Sequence, residues 1–507
     1  MTGTLVTRGT ANGATALHGG RRWRPSPYAV FGGLFWLVMS LAFWRVPMCC
    51  DFGQHAAVVE RLKDDLLHPA HPMADLPGDG SPYYSPYAVA QGLFAQLAEM
   101  AGREVVKLSG PVNLLVLLTG IGRFVRVLTP RPWAPVLALA AMVLLWGTRM
   151  AWWSGYLGLM SMTGNLGYPS TFAIGLAFWA WAWAGALARE PRGGLWPYAG
   201  LGALCGLILL VHPISSVAAV IGVVAFAVPS VGVRWAVTAL TAVAVASVWP
   251  YYSVFSLVGD ESVDWIHRQL YTDMPQRFWL ALLGLPALWL RFRRDRGDPL
   301  VLMFALDCLV VAYGWVSGHY TYGRILGLTL VPLQFALAVE LAAPRTWGWR
   351  RGALAGAAAL GAGVGFFQLQ AGAVVPRALD PIGFDQPPRW PGYDWAVGHM
   401  RRGDVVLTDG YRPTRSVPGH GANLVAPAWP DASLDERVRE RRLDAVRAYL
   451  APGSTRAERS AIVRAYDVRW LLLSPDQKVP PEAVVVDWSR GTGEVLARVN
   501  GRAQGRD

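Results

Sequence analysis

The chain has 507 residues, 53% of them apolar and only 16% charged, with a formal net charge of +12. Soluble domains carry roughly 25% charged residues, so an ordinary soluble protein is excluded and a membrane-embedded one indicated; 24 Trp and 55 Gly suit helices that anchor at interfaces and pack closely. The four cysteines, Cys49, Cys50, Cys205 and Cys308, give neither a disulfide framework nor a zinc spacing, and without a GxxxxGK[ST] loop a built-in ATPase is excluded.

Residues 1–27 are small, polar and Arg-containing, and are expected to form a disordered cytosolic tail. No A-x-A cleavage site follows "RRWRPSPYAVFGGLFWLVMSLAF", and many further apolar runs do, so this is not read as a cleaved signal. Spans are expected near 28–46, 105–122, 133–148, 166–188, 196–211, 214–229, 235–250, 277–291, 299–316, 325–342 and 352–371, about eleven in all. Arg123, Arg126 and Arg131; Arg189 and Arg192; Arg234; Arg291, Arg293, Arg294 and Arg296; and Arg345, Arg350 and Arg351 fall in every second loop. Basic loops stay in the cytoplasm. The N-terminus is therefore expected inside a plasma membrane, with the first loop (47–104), the 251–276 loop, the 317–324 turn and the tail from 376 outside. A crossing at 85–101 would move every later basic loop outside, so that stretch is expected to be an interfacial helix.

The tail, 376–507, differs in kind. "GDVVLTDG", "VRWLLLSP", "AVVVDW" and "GEVLARV" read as strands, and two capping boxes, Ser433 with Glu436 and Thr455 with Glu458, announce helices between them. The expected architecture is mostly α: a polytopic membrane helical bundle over 28–375 with a C-terminal extracytoplasmic α/β domain.

The first outer loop carries the most informative residues. In "RVPMCCDFGQHAAVVERLKDDLLHP" a helix over 51–67 places Phe52, Ala56, Val59, Leu62 and Leu66 in one apolar stripe. Arg61, Asp64 and Asp65 fall opposite, and Asp51 and His55 lie together at the edge. Asp51 is either a helix-start residue serving backbone N–H groups or a functional carboxylate at the membrane surface. The loop continues "HPAHPMADLPGDGSPYYSPY", rich in His, Pro and Tyr.

This order resembles the GT-C fold of integral-membrane glycosyltransferases, which take a sugar from a polyprenyl-phosphate donor. The resemblance rests on the acidic residue after the first span, surface helices with the "SPYYSPY" segment, and about eleven spans. It also rests on the His212–Pro213 pair, "WPYY" at 249–252, Gly323–Arg324 at the start of a late span, and the C-terminal α/β domain. It implies an inverting transfer to an acceptor hydroxyl on the outer face, with Asp51 as general base and His55 as its partner or a helper at the phosphate. The acidic pair that part of the family shows is absent, Asp51 being followed by Phe52, so no metal ligand is assigned and a divalent metal is left open. Arg324, in "SGHYTYGRIL", is either an interface-snorkelling Arg or the grip on the donor phosphate. His212 and His319 are helix-end residues or further phosphate contacts, and Arg149 is of the same class. Asp260, Glu261 and Asp264 are an acidic loop or contacts to acceptor or metal. Tyr83, Tyr84, Trp152 and Trp153 are interface anchors or sugar-stacking rings. His420, in "YRPTRSVPGHGANLVAP", is placed towards the acceptor.

High Gly, Ala, Arg and Trp with few Lys suggests an actinobacterium. The resemblance then implies mannose or arabinofuranose on decaprenyl or undecaprenyl phosphate as donor, and a cell-envelope glycan, lipid, protein or natural product as acceptor; nucleic acid is not an expected partner. The competing reading is a transporter or flippase of lipid-linked intermediates, which would favour inverted repeats and mid-membrane charge. Asp307 is the clearest carboxylate inside a span. A polymerase or ligase using diphosphate-linked oligosaccharides shares the outer-face Arg and carboxylate requirement.

Overall fold

A computed structural model of the chain describes residues 25–500 apart from 48, 191–193, 231, 258, 260, 345–347 and 432. Residues 1–24 of the expected tail, Arg192, Arg345 and Asp260 lie outside the described residues. The chain is mostly helical, and each expected apolar run is occupied by helix. Six helices are long and apolar enough to cross a membrane by themselves: Pro27–Arg45, Gly102–Leu128, Pro169–Arg189, Pro299–Ser317, Tyr320–Ala342 and Trp349–Val374. Shorter apolar helices occupy Ala134–Leu144, Trp196–Val211, Pro213–Ala227 and Val233–Ser247. They share one apolar core, and the backbones of the 102–128 and 169–189 helices approach so closely that a Cβ on Gly120 would lie 2.7 Å from the Gly175 carbonyl oxygen.

At one end of this bundle the arginines tie helix ends together. Arg189 donates to the Val127 carbonyl, Arg291 pairs with Asp298 at 2.6 Å and Arg294 with Glu340 at 3.3 Å. At the other end lie the first long loop and the tail domain. We label the loop helices α1 (Phe52–Asp64) and α2 (Pro86–Leu97). The tail strands are β1 (Val405–Leu407), β2 (Asn423–Leu424), β3 (Val468–Leu473), β4 (Ala483–Trp488) and β5 (Val495–Val499).

The sheet order is β2-β1-β3-β5-β4. The β2, β1 and β3 strands run parallel, and β5 pairs antiparallel with both β3 and β4. Alternation along the strands builds two cores. Val405, Leu407, Leu471 and Leu473 meet Val446, Tyr449 and Val463 from the helices Glu436–Leu450 and Arg456–Tyr466. Val406, Trp470 and Leu472 face the opposite way and receive Met73 from the first loop. Ala74 extends this edge by bridging to Leu424.

Two local expectations change. The Thr455–Glu458 box forms, but the preceding helix begins at Glu436, capped by Asp435, while Ser433 turns onto Asp431. The polar side of α1 does not face solvent throughout. Glu60 accepts from Gly102 N at 2.5 Å and pairs with Arg402, and Arg61 donates to Asn423 Oδ1. The tail domain lies over this face, so α1 is a layer between bundle and tail.

Candidate active site

Asp51 precedes α1 with φ −92° and ψ 10°. An N-cap residue that serves the helix adopts extended ψ. Asp51 does not, and its carboxylate makes no cap hydrogen bond. Oδ1 instead accepts from Trp429 Nε1 of the tail at 2.9 Å. The preceding Cys50 takes a left-handed conformation (φ 58°), which turns the chain out of the first span, and Tyr168 OH holds the Cys49 carbonyl at 3.0 Å.

Around this carboxylate stand His55, Tyr83, Arg324 and Arg415, each within electrostatic reach of it. The His55 ring packs against Tyr168 at 4.8 Å and edge-on to Tyr83 at 6.5 Å. Arg324 lies in a 3-10 turn, Tyr320–Ile325. Its Nη2 donates to Ser154 Oγ at 2.9 Å and lies 3.2 Å from His212 Nε2. The His212 Nδ1 accepts from Ser215 N at 3.2 Å and lies 2.9 Å from Ser215 Oγ. The buried Nε–H groups of Arg324 and Arg415 have no partner among the described residues.

Asp264 fixes the Arg324 turn. Its Oδ1 accepts from Thr321 N at 2.7 Å and Thr321 Oγ1 at 2.6 Å, and His267 Nδ1 lies 2.7 Å from the same hydroxyl. His319 stands beside this device, 3.5 Å from Asp264 and 3.6 Å from Glu261.

The structure thus brings Asp51, His55, Tyr83, His212 and Arg324 together. His319 stands apart from this group, between the Glu261 and Asp264 carboxylates. Tyr84 is turned away: it is buried, its hydroxyl donates to the Ala70 carbonyl, and its ring packs near Tyr251. His420 faces Arg103 Nη1 at 3.1 Å, and Arg149 pairs with Asp273 at 3.0 Å. Sequence reading missed Ser154, Arg415 and Trp429. Only Arg415 had a signal, its place in the glycine-bounded loop of His420.

No group of three or more His, Cys, Asp or Glu side chains with metal-site geometry occurs among the described residues. Asp51 Oδ1 accepts an indole N–H, and the Arg324 and Arg415 guanidinium groups lie within electrostatic reach of its carboxylate.

Burial pushes the His55 imidazole down to about 4, with Asp51 opposing and Arg324 reinforcing the shift. Burial and Arg324 push His267 down to about 3, and burial lowers His71. Each folded-state value lies below the ordinary value near 6.5, so the unfolded chain binds these protons first as pH falls. Stability from these groups is complete above about pH 6.5 and drains away towards pH 4. The unfolding temperature should therefore fall on acidification from pH 6.5 to 5, and His55→Gln should shrink that fall. A midpoint flat across the window in the wild type contradicts this.

No protein-family model and no curated protein sequence matches the chain. Solved structures do. The arabinofuranosyltransferase AftD from Mycobacteria superposes with a TM-score of 0.57 at 15% identity, over 93% of this chain and 40% of that one. ArnT from Cupriavidus metallidurans, in the apo state, gives 0.55 at 13% identity, over 94% of this chain and 98% of that one. The chain thus spans less than half of AftD but nearly all of ArnT. At these identities the likeness is one of architecture: the chain has the GT-C fold of integral-membrane glycosyltransferases.

Proposed function

We propose that the chain is a membrane glycosyltransferase that moves a sugar from a polyprenyl-phosphate donor to an acceptor hydroxyl, with inversion. The carrying observation is a carboxylate relieved of helix capping and within electrostatic reach of Arg324, whose buried Nε–H has no partner among the described residues. In the reaction the acceptor oxygen bonds to the anomeric carbon as the carbon–oxygen bond to phosphate breaks. The hydroxyl proton passes to Asp51, and the electron pair leaves with the phosphate, whose growing charge Arg324 stabilises. His55, neutral at pH 7, packs beside Asp51 without competing for that proton. The arginine-rich loops lie at the opposite end of the bundle, which supports an extracytoplasmic tail domain and reaction site.

The test uses purified protein in sealed vesicles with labelled mannosyl and arabinofuranosyl polyprenyl phosphates and a crude envelope extract. Transfer is expected only where the acceptor reaches the face carrying the tail domain. Transfer on the arginine-rich face contradicts the orientation, and no transfer with any donor contradicts the activity. One observation favours the transporter instead. Asp307, in the Pro299–Ser317 helix, is buried, and its Oδ1 lacks a partner among the described residues. Uptake of a labelled lipid-linked sugar without transfer would select that reading.

A further inference from the structure

Arg415 belongs to the short helical turn Pro413–Ser416 of the tail domain and is only 7% exposed. Its guanidinium is clamped between the rings of Tyr411, 3.9 Å away, and Trp429, 4.2 Å away. Nη1 donates to the Tyr411 carbonyl at 2.9 Å, with a long contact to Thr414 Oγ1 at 3.5 Å. Nε–H has no partner among the described residues. Burying a cation is costly; the nearby Asp51 charge and two aromatic faces offset part of that cost. Tyr411 and Trp429 therefore hold a charged donor in place without neutralising it. Arg324 shows the same combination from the bundle side: two hydrogen-bonded neighbours at Nη2 and a partnerless Nε–H. Trp429, stacked on Arg415, donates to Asp51 Oδ1 at 2.9 Å, and both guanidinium groups lie within electrostatic reach of Asp51 and Tyr83.

We propose that Arg415 is a second anion-binding residue of this site, supplied by the tail domain, and that with Arg324 it binds the oxyanion of a lipid-linked monophosphate in preference to a diphosphate. This rests on the glycosyltransferase reading. Charge balance selects the monophosphate. The two guanidinium groups and the Asp51 carboxylate leave one net positive charge, which matches the single negative charge of a sugar–phosphate diester. On transfer the lipid phosphate gains a second negative charge as Asp51 takes up the acceptor proton, so the site stays balanced. A diphosphate link brings one excess negative charge before and after the reaction. The bound phosphate also bridges bundle and tail.

The test measures binding to full-length protein in nanodiscs, using undecaprenyl monophosphate, undecaprenyl diphosphate and inorganic phosphate as separate probes. Wild type should prefer the lipid monophosphate. Arg415→Gln and Arg324→Gln should each weaken it about tenfold or more, and Arg415→Lys should recover only part of the loss because an ammonium lacks the planar fork. Tyr411 is exposed, so Tyr411→Leu keeps the fold and should weaken binding a few-fold by freeing one face of Arg415. Should Arg415→Gln fail to fold, Tyr411→Leu decides. Unchanged monophosphate affinity in the folded Arg415 and Tyr411 variants makes Arg415 a packing residue and overturns the proposal; a loss in Arg324→Gln alone then leaves the glycosyltransferase reading standing. No loss in either arginine variant sinks the donor-site reading itself. Inorganic phosphate binding as tightly as the lipid marks a free-anion site, and tighter binding of the diphosphate overturns the monophosphate class.

Discussion

Asp51→Asn is expected to slow sugar transfer by roughly two to four orders of magnitude while leaving donor binding intact. The substitution keeps size and shape, and the amide oxygen still accepts from Trp429 Nε1. What it removes is the ability to take a proton from the acceptor hydroxyl. It also removes the negative charge that partly offsets Arg324 and Arg415, so donor phosphate should bind as well as before or better. The loss should therefore appear in turnover rather than in the donor KM. Initial rates with a labelled donor check this. A variant rate within threefold of wild type takes Asp51 out of the chemistry, and a weakened donor KM with unchanged turnover assigns it to binding.

The apolar helices and tail strands were legible because their signals are local. Apolar runs mark the helices, and period-two alternation in "VRWLLL" sends Trp470 and Leu472 to one face and Leu471 and Leu473 to the other. The junction was less legible because its partners are far apart in sequence. Glu60 and Arg61 look like the wet side of a surface helix until Gly102, Arg402 and Asn423 arrive. Asp51 was visible as a carboxylate at a helix start, but its freedom from capping depends on a ψ that no residue pattern states. Trp429 lies 378 residues from Asp51, and nothing in "APAWP" announces an indole N–H aimed at a carboxylate. Tyr83 and Tyr84 are adjacent and chemically identical. Only the turn of the chain gives Tyr83 to the site and Tyr84 to the Ala70 carbonyl.

Gly53→Ala, two residues beyond Asp51, should cut transfer about a hundredfold without unfolding the bundle. A Cβ at this position would stand 2.1 Å from the Arg415 carbonyl oxygen and 2.8 Å from Ser416 Cα, both backbone atoms that cannot swing aside. The tail segment must retreat from α1. Such overpacking costs about 1–3 kcal/mol, small against the shared apolar core of the bundle but concentrated where Arg415 and Trp429 meet Asp51. A shift of about 1 Å at a reacting centre is enough for a loss near a hundredfold. Gly363→Ala in the last long helix is the control, since nothing lies within 4 Å of its added Cβ and its rate should match wild type. Limited proteolysis should show the tail cut faster in Gly53→Ala, with the bundle fragment intact. Because the methyl group displaces both an anion-binding cation and the indole that holds the base, donor affinity and turnover should fall together, whereas Asp51→Asn lowers turnover alone. A Gly53→Ala enzyme with wild-type kinetics shows that the tail domain does not complete the site.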